Sequence, residues 1–326
     1  GIPTFAGEVD VIVVNLEAFV RDRQGRPIID LKREDFQLLV DDVETPLSHF
    51  TFETGPRIVG LDDVAPSQSQ QTQRALPAQV VLFVDNENLT PTSRRRALDE
   101  TVDFVVDNVG PSVEMMVVKR QLGLEVAQPF TDRGNEVVAA LERMRSETGG
   151  LSAHQMLRFS ILREIEECAR LRGASASSCR NRVRSMAESA AYEERLRVLQ
   201  AIRDLGMAIE SLGSLPGRKA LVYVSNGLPM IAGLDLVLSV VEPADLSRLR
   251  AALDCSREFE ALVATALRAG VSLYTIDAAG LEVAAGVSAQ SSIPVSPQTD
   301  FEISSNFDSS MLYIAQATGG HAVVNT

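Results

Sequence analysis

Polar side chains follow three apolar runs of this sequence, at the positions where buried strands of a parallel sheet would end. Residues 85–88 (Asp-Asn-Glu-Asn) follow the first run, Ser225 and Asn226 follow the second, and Asp277 follows the third. Ligands of open α/β sheets collect beyond the carboxyl ends of the strands. Oxygen ligands of these kinds suit a hard cation such as Mg²⁺ or Ca²⁺, but Asp and Asn are also common turn residues. The pattern therefore leaves two interpretations open, a cation site and a set of ordinary turns.

The segments that would position these residues alternate between strand-like and helix-like patterns. The strand-like runs lie at 80–84, 115–118, 122–126, 220–224 and 271–276. Helical spacing of apolar residues covers 92–109 and 259–269, and a further helix runs from an N-cap at 131–132 through Met144. Repeated β-α alternation with continuous apolar strands predicts an α/β fold, a doubly wound and mostly parallel sheet with helices on both faces.

Three regions depart from this alternation. Residues 1–53 alternate apolar and polar residues over short runs, which predicts a small N-terminal antiparallel β unit. Residues 54–78 lose all periodicity and predict a linker. The α/β domain then spans 79–326 and carries a helical insertion at about 153–192, broken near Gly173. After Asp277 the sequence predicts a loop to about Asp308, followed by a short helix over 311–317.

Composition excludes some classes of partner. The formal net charge of −13 opposes binding of nucleic acid, whose phosphates demand positive charge. The chain contains no apolar run near the roughly 20 residues that a membrane-spanning helix needs, so no transmembrane segment is predicted. The arginines between Arg158 and Arg203 are interleaved with glutamates, which is typical of a solvated helix face.

Three cysteines, Cys168, Cys179 and Cys255, have neither the spacing nor the histidine neighbours of a zinc site. Cys168 and Cys179 flank a short Gly/Ser/Ala stretch between two helical segments. They are candidates for a disulfide, which would indicate an oxidising compartment, and two buried free thiols are the alternative. Cys255 would then be the remaining thiol.

An ordered set of segments resembles a von Willebrand factor type A-related family of exported bacterial proteins. The segments are the apolar run ending at Asp85, the approach from Gly217 to Gly227, the run over 269–277 and the ending over 317–322. The N-terminal β unit also resembles the module that precedes the type A domain in that family. The resemblance implies a Rossmann-like type A fold, a secreted, periplasmic or cell-envelope location, and binding to a protein or another cell-surface macromolecule.

The resemblance also implies a metal-ion-dependent adhesion site, but one with a degenerate motif. Asp85 matches the first Asp of the motif, the two serine positions fall on Glu87 and Leu89, the threonine position falls near Ser152, and the distal Asp falls on Asn226. Leu89 cannot bind a cation. The remaining set of Asp85, Glu87, Ser152 and Asn226 implies either no metal or weakly bound Mg²⁺ or Ca²⁺.

Charge repulsion predicts how Asp85 and Glu87 are arranged when no metal is bound. Without a cation, Asp85 and Glu87 repel each other, so one of them should take up a proton or find an arginine or backbone donor. We expect Glu87 to turn outward into solvent. We expect Asp85 to accept backbone N–H bonds from the turn or from Gly227.

The leading functional hypothesis is a non-enzymatic protein-binding or adhesion-type module, and a structural or assembly scaffold is the alternative. A Rossmann-like enzyme is disfavoured because no glycine follows Asp85 and no G-x-G-x-x-G motif occurs there. A hydrolase is disfavoured because the sequence lacks a nucleophile elbow, and His154 is the only histidine near the predicted site.

Overall fold

The computed structural model describes residues 20, 28, 31–40, 42–47, 76–147, 151–238, 240–278 and 297–323. The chain divides into two compact units, Gly1–Phe52 and Glu53–Thr326. Residues 54–75 of the predicted linker lie outside the described part.

The described part of the N-terminal unit contains a short 3-10 helix and a β-hairpin. The 3-10 helix covers Arg33–Asp35, and strands β1 (Leu38–Val40) and β2 (Val43–Thr45) pair antiparallel. Asp42 lies in the turn with φ of 63°. Asp tolerates this left-handed conformation better than most residues, which is consistent with a turn at this point.

The larger unit is built on a six-stranded sheet. Its strands are β3 (Ala78–Asp85), β4 (Val113–Arg120), β5 (Leu124–Thr131), β6 (Lys219–Ser225), β7 (Val271–Asp277) and β8 (Ala322–Val323). The spatial order is β5-β4-β3-β6-β7-β8, and all neighbouring pairs are parallel except β4 and β5. The predicted mostly parallel α/β sheet is therefore confirmed.

Helices cover both faces of this sheet. They are α1 (Pro91–Asn108), α2 (Gly134–Arg145), α3 (Leu151–Arg170), α4 (Ala174–Leu212), α5 (Leu234–Leu238), α6 (Pro243–Leu253), α7 (Ser256–Ala269) and α8 (Pro297–Ala317). Successive side chains of a strand point to opposite faces. Val81 and Phe83 accordingly join a core with α4, α7 and α8, whereas Leu82 and Val84 join a core with α1 and α2.

Local signals explain where several elements begin and end. Thr90 caps α1 through a capping box with Ser93, and Pro91 occupies the first helical position. Gly270 ends α7 in the left-handed region with φ of 63°. Gly320 passes so close to β7 that a Cβ atom there would overlap the Leu273 carbonyl oxygen, so only glycine fits.

The predicted helical insertion is a hairpin of α3 and α4. Helix α4 is one continuous element, so the insertion and the core helix that follows it in the sequence are a single 39-residue helix. The hairpin has a small core of its own, in which Ile161, Ile165 and Val183 pack with Leu236.

Two sequence predictions were wrong in this unit. The loop expected to extend to about Asp308 is helical from Pro297, because Met311 and Ile314 of α8 pack in one core with the sheet and Ile303 is buried as well. The arginines over 158–203 are not all solvated, since Arg158 is half-buried and forms ion pairs with Glu194 and Asp235. Among the described residues, no helix is long and apolar enough to cross a membrane.

Candidate functional site at the carboxyl edge of the sheet

The candidate site lies where the strand order reverses. The chain leaves β3 for β4 on one side, whereas β6 pairs with β3 on the other side. Helical connections therefore diverge above the carboxyl ends of β3 and β6, and such a switch point is where open α/β sheets bind ligands. Asp85 is the last residue of β3, directly opposite Arg120, the last residue of β4.

Asp85 is fully buried at this point, and protein side chains engage both of its carboxylate oxygens. Nη1 of Arg120 lies 2.9 Å from Oδ1, and the Tyr223 hydroxyl donates a hydrogen bond of 2.7 Å to Oδ2. Tyr223 comes from β6, and so the carboxylate links three adjacent strands.

Arg120 is the centre of a buried ion network. Besides Asp85, its guanidinium contacts Asp204 of α4 at 2.8 Å through Nε and Glu87 at 2.9 Å through Nη2. Asp204 also accepts a hydrogen bond of 2.8 Å from Gln200, one helical turn earlier. One guanidinium thus contacts three carboxylates and is the positive charge that balances them inside the protein.

The loop after β3 is fixed to both neighbouring strands. Glu87 accepts a hydrogen bond of 2.8 Å from the backbone N–H of Leu122 in the β4–β5 turn. Asn88 donates through Nδ2 to Oγ of Ser225, at 3.0 Å, and to the carbonyl of Gly227. The loop therefore bridges the switch point and holds the turn beyond β4 in place.

Burial and charge act in opposite directions on the ionisable groups. Burial raises the pKa of Asp85 above its ordinary value, while Arg120 and the Tyr223 hydroxyl oppose that change. Burial lowers the pKa of Arg120, but Asp85, Asp204 and Glu87 outweigh it and raise the pKa overall. Burial and the neighbouring Asp85 raise the pKa of Tyr223 well above 10, so Tyr223 stays a hydrogen-bond donor.

The expected arrangement of the two carboxylates was wrong. Glu87 does not turn outward but pairs with Arg120, and the two oxygens of Asp85 are taken by Arg120 and Tyr223 rather than by backbone N–H groups. The physical reason is that an arginine donor, one of the alternatives left open by the sequence, satisfies both groups at once.

The residues of the predicted metal site do not fit a cation. A dication beside Asp85 would face the fixed charge of Arg120, and hard cations need several free oxygen ligands. Leu89, at the second serine position, is buried in the core with α1. Asn226 has a buried Oδ1 without a hydrogen-bond partner in the described structure, and the side chain of Ser152 lies outside that description. No cluster of three or more His, Cys, Asp or Glu suited to a metal occurs in the described ranges.

Sequence reasoning missed Arg120, Tyr223 and Asp204. Each interrupts an apolar pattern: Arg120 ends a buried strand, Tyr223 lies within one, and Asp204 lies among the apolar residues of α4. A charged residue at a buried position requires a partner. That signal could have identified Arg120 and Asp204, although not which residues they contact.

The candidate disulfide pair, Cys168 and Cys179, lies where α3 meets α4, at the tip of the helical hairpin. The structure joins Cys168 and Cys179 by a disulfide with their Cα atoms 5.6 Å apart. Cys255 is a buried free thiol, and burial raises its pKa to about 12. The thiol therefore stays protonated at neutral pH and is a poor nucleophile for exchange with the bridge.

No family model and no curated protein match the chain. Proximal thread matrix protein 1 from the mussel byssus is 12% identical over 62% of this chain and 38% of its own, with a TM-score of 0.28. The PilB minor pilin from Streptococcus sanguinis is 12% identical over 80% of this chain and 58% of its own, with a TM-score of 0.32. The chain spans less than two thirds of the length of either protein.

Proposed function

We propose that this chain is a non-enzymatic protein-binding module of an exported protein, and that it binds its partner through the β4–β5 turn. The proposal rests on the backbone conformation and the exposure of Leu122. This residue has a left-handed backbone with φ of 54°, and its surface is 97% exposed. A left-handed conformation costs a non-glycine residue roughly 1–2 kcal/mol.

The tight β4–β5 turn imposes the left-handed backbone at Leu122, and the Leu122 side chain adds no stability that would offset its cost. The exposed side chain contributes almost nothing to the core, yet the backbone is held by Glu87, which is itself held by the buried Arg120. Strained residues that the surrounding structure fixes in this way cluster at binding sites. The network therefore acts as a rigid support for an exposed apolar anchor.

Exposed apolar residues extend from this anchor along β5. Leu124 and Val126 are exposed on the same face of the strand, and β5 is an edge of the sheet. Contiguous apolar surface of this kind favours a protein partner, because a buried apolar anchor contributes much of the free energy of binding.

We infer further that the scaffold is of the von Willebrand factor type A-related kind suggested by the sequence. Support comes from the reversal of strand order between β3 and β6 and from Asp85 at that reversal. In this proposal the Arg120 guanidinium replaces the cation, so partner binding does not depend on metal. The disulfide supports export, since disulfides persist in oxidising compartments.

The test compares Leu122→Asn with Leu267→Asn, a control at an exposed leucine on α7. Asn tolerates the left-handed region, so Leu122→Asn should unfold at an equal or higher denaturant concentration. Each protein is immobilised and exposed to envelope extract with and without chelator. We expect wild type and Leu267→Asn to retain the same partner in both conditions, and Leu122→Asn to lose it.

Two outcomes contradict the proposal. Retention of the same partner by Leu122→Asn would show that the turn is not the binding site. Loss of the partner in chelator would show that a metal takes part.

A further inference from the structure

The tip of the helical hairpin carries a concentrated positive charge. Helix α3 ends at Arg170, Gly173 turns the chain with φ of 71°, and the disulfide closes the turn. Arg170, Leu171, Arg172 and Arg180 are all exposed there. We call these four residues the arginine tip.

The arginine tip differs from four other arginines of the hairpin in its lack of counter-ions. Arg158, Arg182, Arg184 and Arg195 each form an ion pair with Glu or Asp. None of the three arginines of the tip has an acidic partner among the described residues, and residues 168–180 contain no Asp or Glu. The nearest acidic residues in sequence precede the disulfide on α3.

Helix α1 carries the opposite charge. Glu100, Asp103 and Asp107 are exposed and spaced at i, i+3 and i+7, which places them on one side of the helix. No basic side chain of the described structure pairs with them, and Val106, 67% exposed, lies beside Asp107. We call these four residues the acidic face.

The acidic face is unfavourable for the helix that carries it. Asp107 lies in the last turn of α1, where the helix dipole repels negative charge, and that turn contains no basic residue. The stability of α1 therefore gives no reason for a carboxylate at Asp107. A positively charged surface covering the helix would remove the unfavourable term.

We propose that the arginine tip of one molecule docks on the acidic face of a second copy of this chain. Three guanidinium groups meet three carboxylates, a pairing that can form two hydrogen bonds per arginine, and Leu171 meets Val106. Because the tip and the face lie on different elements, the contact either occurs twice in a two-fold dimer or runs head-to-tail and repeats into a ring or an open chain.

The net charge of the chain sets the conditions for this contact. Copies with a charge of −13 repel at long range, so attraction between the two surfaces must act locally. Screening over about 8 Å at physiological salt removes most of the long-range repulsion. The association is expected to be weak and to depend on salt.

Sedimentation velocity on the full chain tests the proposal. The weight-average mass of wild type should rise above that of the monomer as protein concentration increases, and should fall again in about 0.5–1 M salt, where screening extends only a few ångströms. Two variants reverse the charges: Arg170→Glu with Arg172→Glu and Arg180→Glu in the tip, and Glu100→Arg with Asp103→Arg and Asp107→Arg in the face. Each should weaken self-association by at least about tenfold.

The decisive measurement mixes the two variants. An acidic tip then faces a basic helix, and a basic tip faces an acidic helix, so the 1:1 mixture should associate although neither variant does alone. The control reverses three exposed arginines elsewhere, Arg248, Arg257 and Arg268, and should associate as wild type does. Leu122→Asn should also associate normally, because the proposed partner-binding turn takes no part.

The proposal is overturned if wild type stays monomeric at all concentrations. It is also overturned if the tip-reversed protein associates as well as wild type, or if the mixture of folded variants stays monomeric. In the first case the arginine tip would be free for an acidic partner of another kind.

Discussion

Two arginine-centred regions of this molecule behave in opposite ways. At the carboxyl edge of the sheet, Arg120 is buried and contacts three carboxylates from β3, the following loop and α4. At the tip of the hairpin, Arg170, Arg172 and Arg180 are exposed and have no acidic partner among the described residues.

The difference shows that tertiary contacts, rather than residue type, decide what an arginine does. A buried guanidinium with several carboxylates fixes the geometry around it, and removing it leaves charges without solvent or partner. An exposed guanidinium without counter-ions adds little to stability and is available to another molecule. The first region is held by ion pairs between elements, and the second by a covalent bridge.

The largest effect is expected from Arg120→Met. Removing the guanidinium leaves Asp85, Glu87 and Asp204 without their shared cation, so the free energy of unfolding should fall by about 3–5 kcal/mol. Urea unfolding measures this change in the free energy of unfolding. Arg133→Met, which removes an exposed pair with Glu136, is the control and should change it by less than about 1 kcal/mol. A comparably small loss for Arg120→Met would remove the distinction between the two regions.

Removing the disulfide should have the next largest effect. The bridge closes a loop with a sequence separation of 11, and its loss should lower the free energy of unfolding by about 3 kcal/mol in the chain-entropy model. The double variant Cys168→Ser with Cys179→Ser should lose amide protection around the hairpin tip first. Reductant should destabilise wild type and leave the double variant unchanged; an equal response of both would contradict the prediction.

Tyr223→Phe should cost about 1–3 kcal/mol, because it leaves one oxygen of buried Asp85 without a donor. Urea unfolding again measures the loss, and Tyr192→Phe on the exposed side of α4 is the control. A loss no larger than that of the control would show that the hydroxyl does not support the network.

The raised pKa of Tyr223 adds a pH dependence. Above pH of about 10 an unfolded tyrosine loses its proton while the buried one keeps it, so the folded state binds more protons and stability falls as pH rises. This decline should be smaller in Tyr223→Phe. An identical alkaline decline in both proteins would contradict the assignment.

The smallest expected effect is that of divalent cations on wild type. Because Arg120 and Tyr223 already occupy the two oxygens of Asp85, excess Mg²⁺ or Ca²⁺ should leave the thermal midpoint unchanged. Arg120→Met instead leaves three carboxylates without a cation, and Ca²⁺ should raise its midpoint relative to chelator. A rise in wild type that is lost in Asp85→Ala would restore the metal-site interpretation.

The sequence by itself determined the α/β class and the strands that carry the site. Continuous apolar runs such as 80–84 and 220–224 can only be buried on both faces, and polar residues directly after them must lie at the edge of the sheet. Short-range patterns were sufficient because strand and helix periodicity are local properties. The same reasoning failed for the first half of α8. That half is mostly polar, and regular apolar spacing begins only near Met311.

The tertiary structure alone decided the nature of the site. The segments of Asp85, Arg120 and Tyr223 do not show which residues these side chains contact, and only the β4-β3-β6 order brings them together. A carboxylate at a strand end serves a metal or an arginine equally well. Which of them it meets depends on the partner strand, because a single charged group opposite Asp85 in the sheet satisfies the carboxylate and repels a cation.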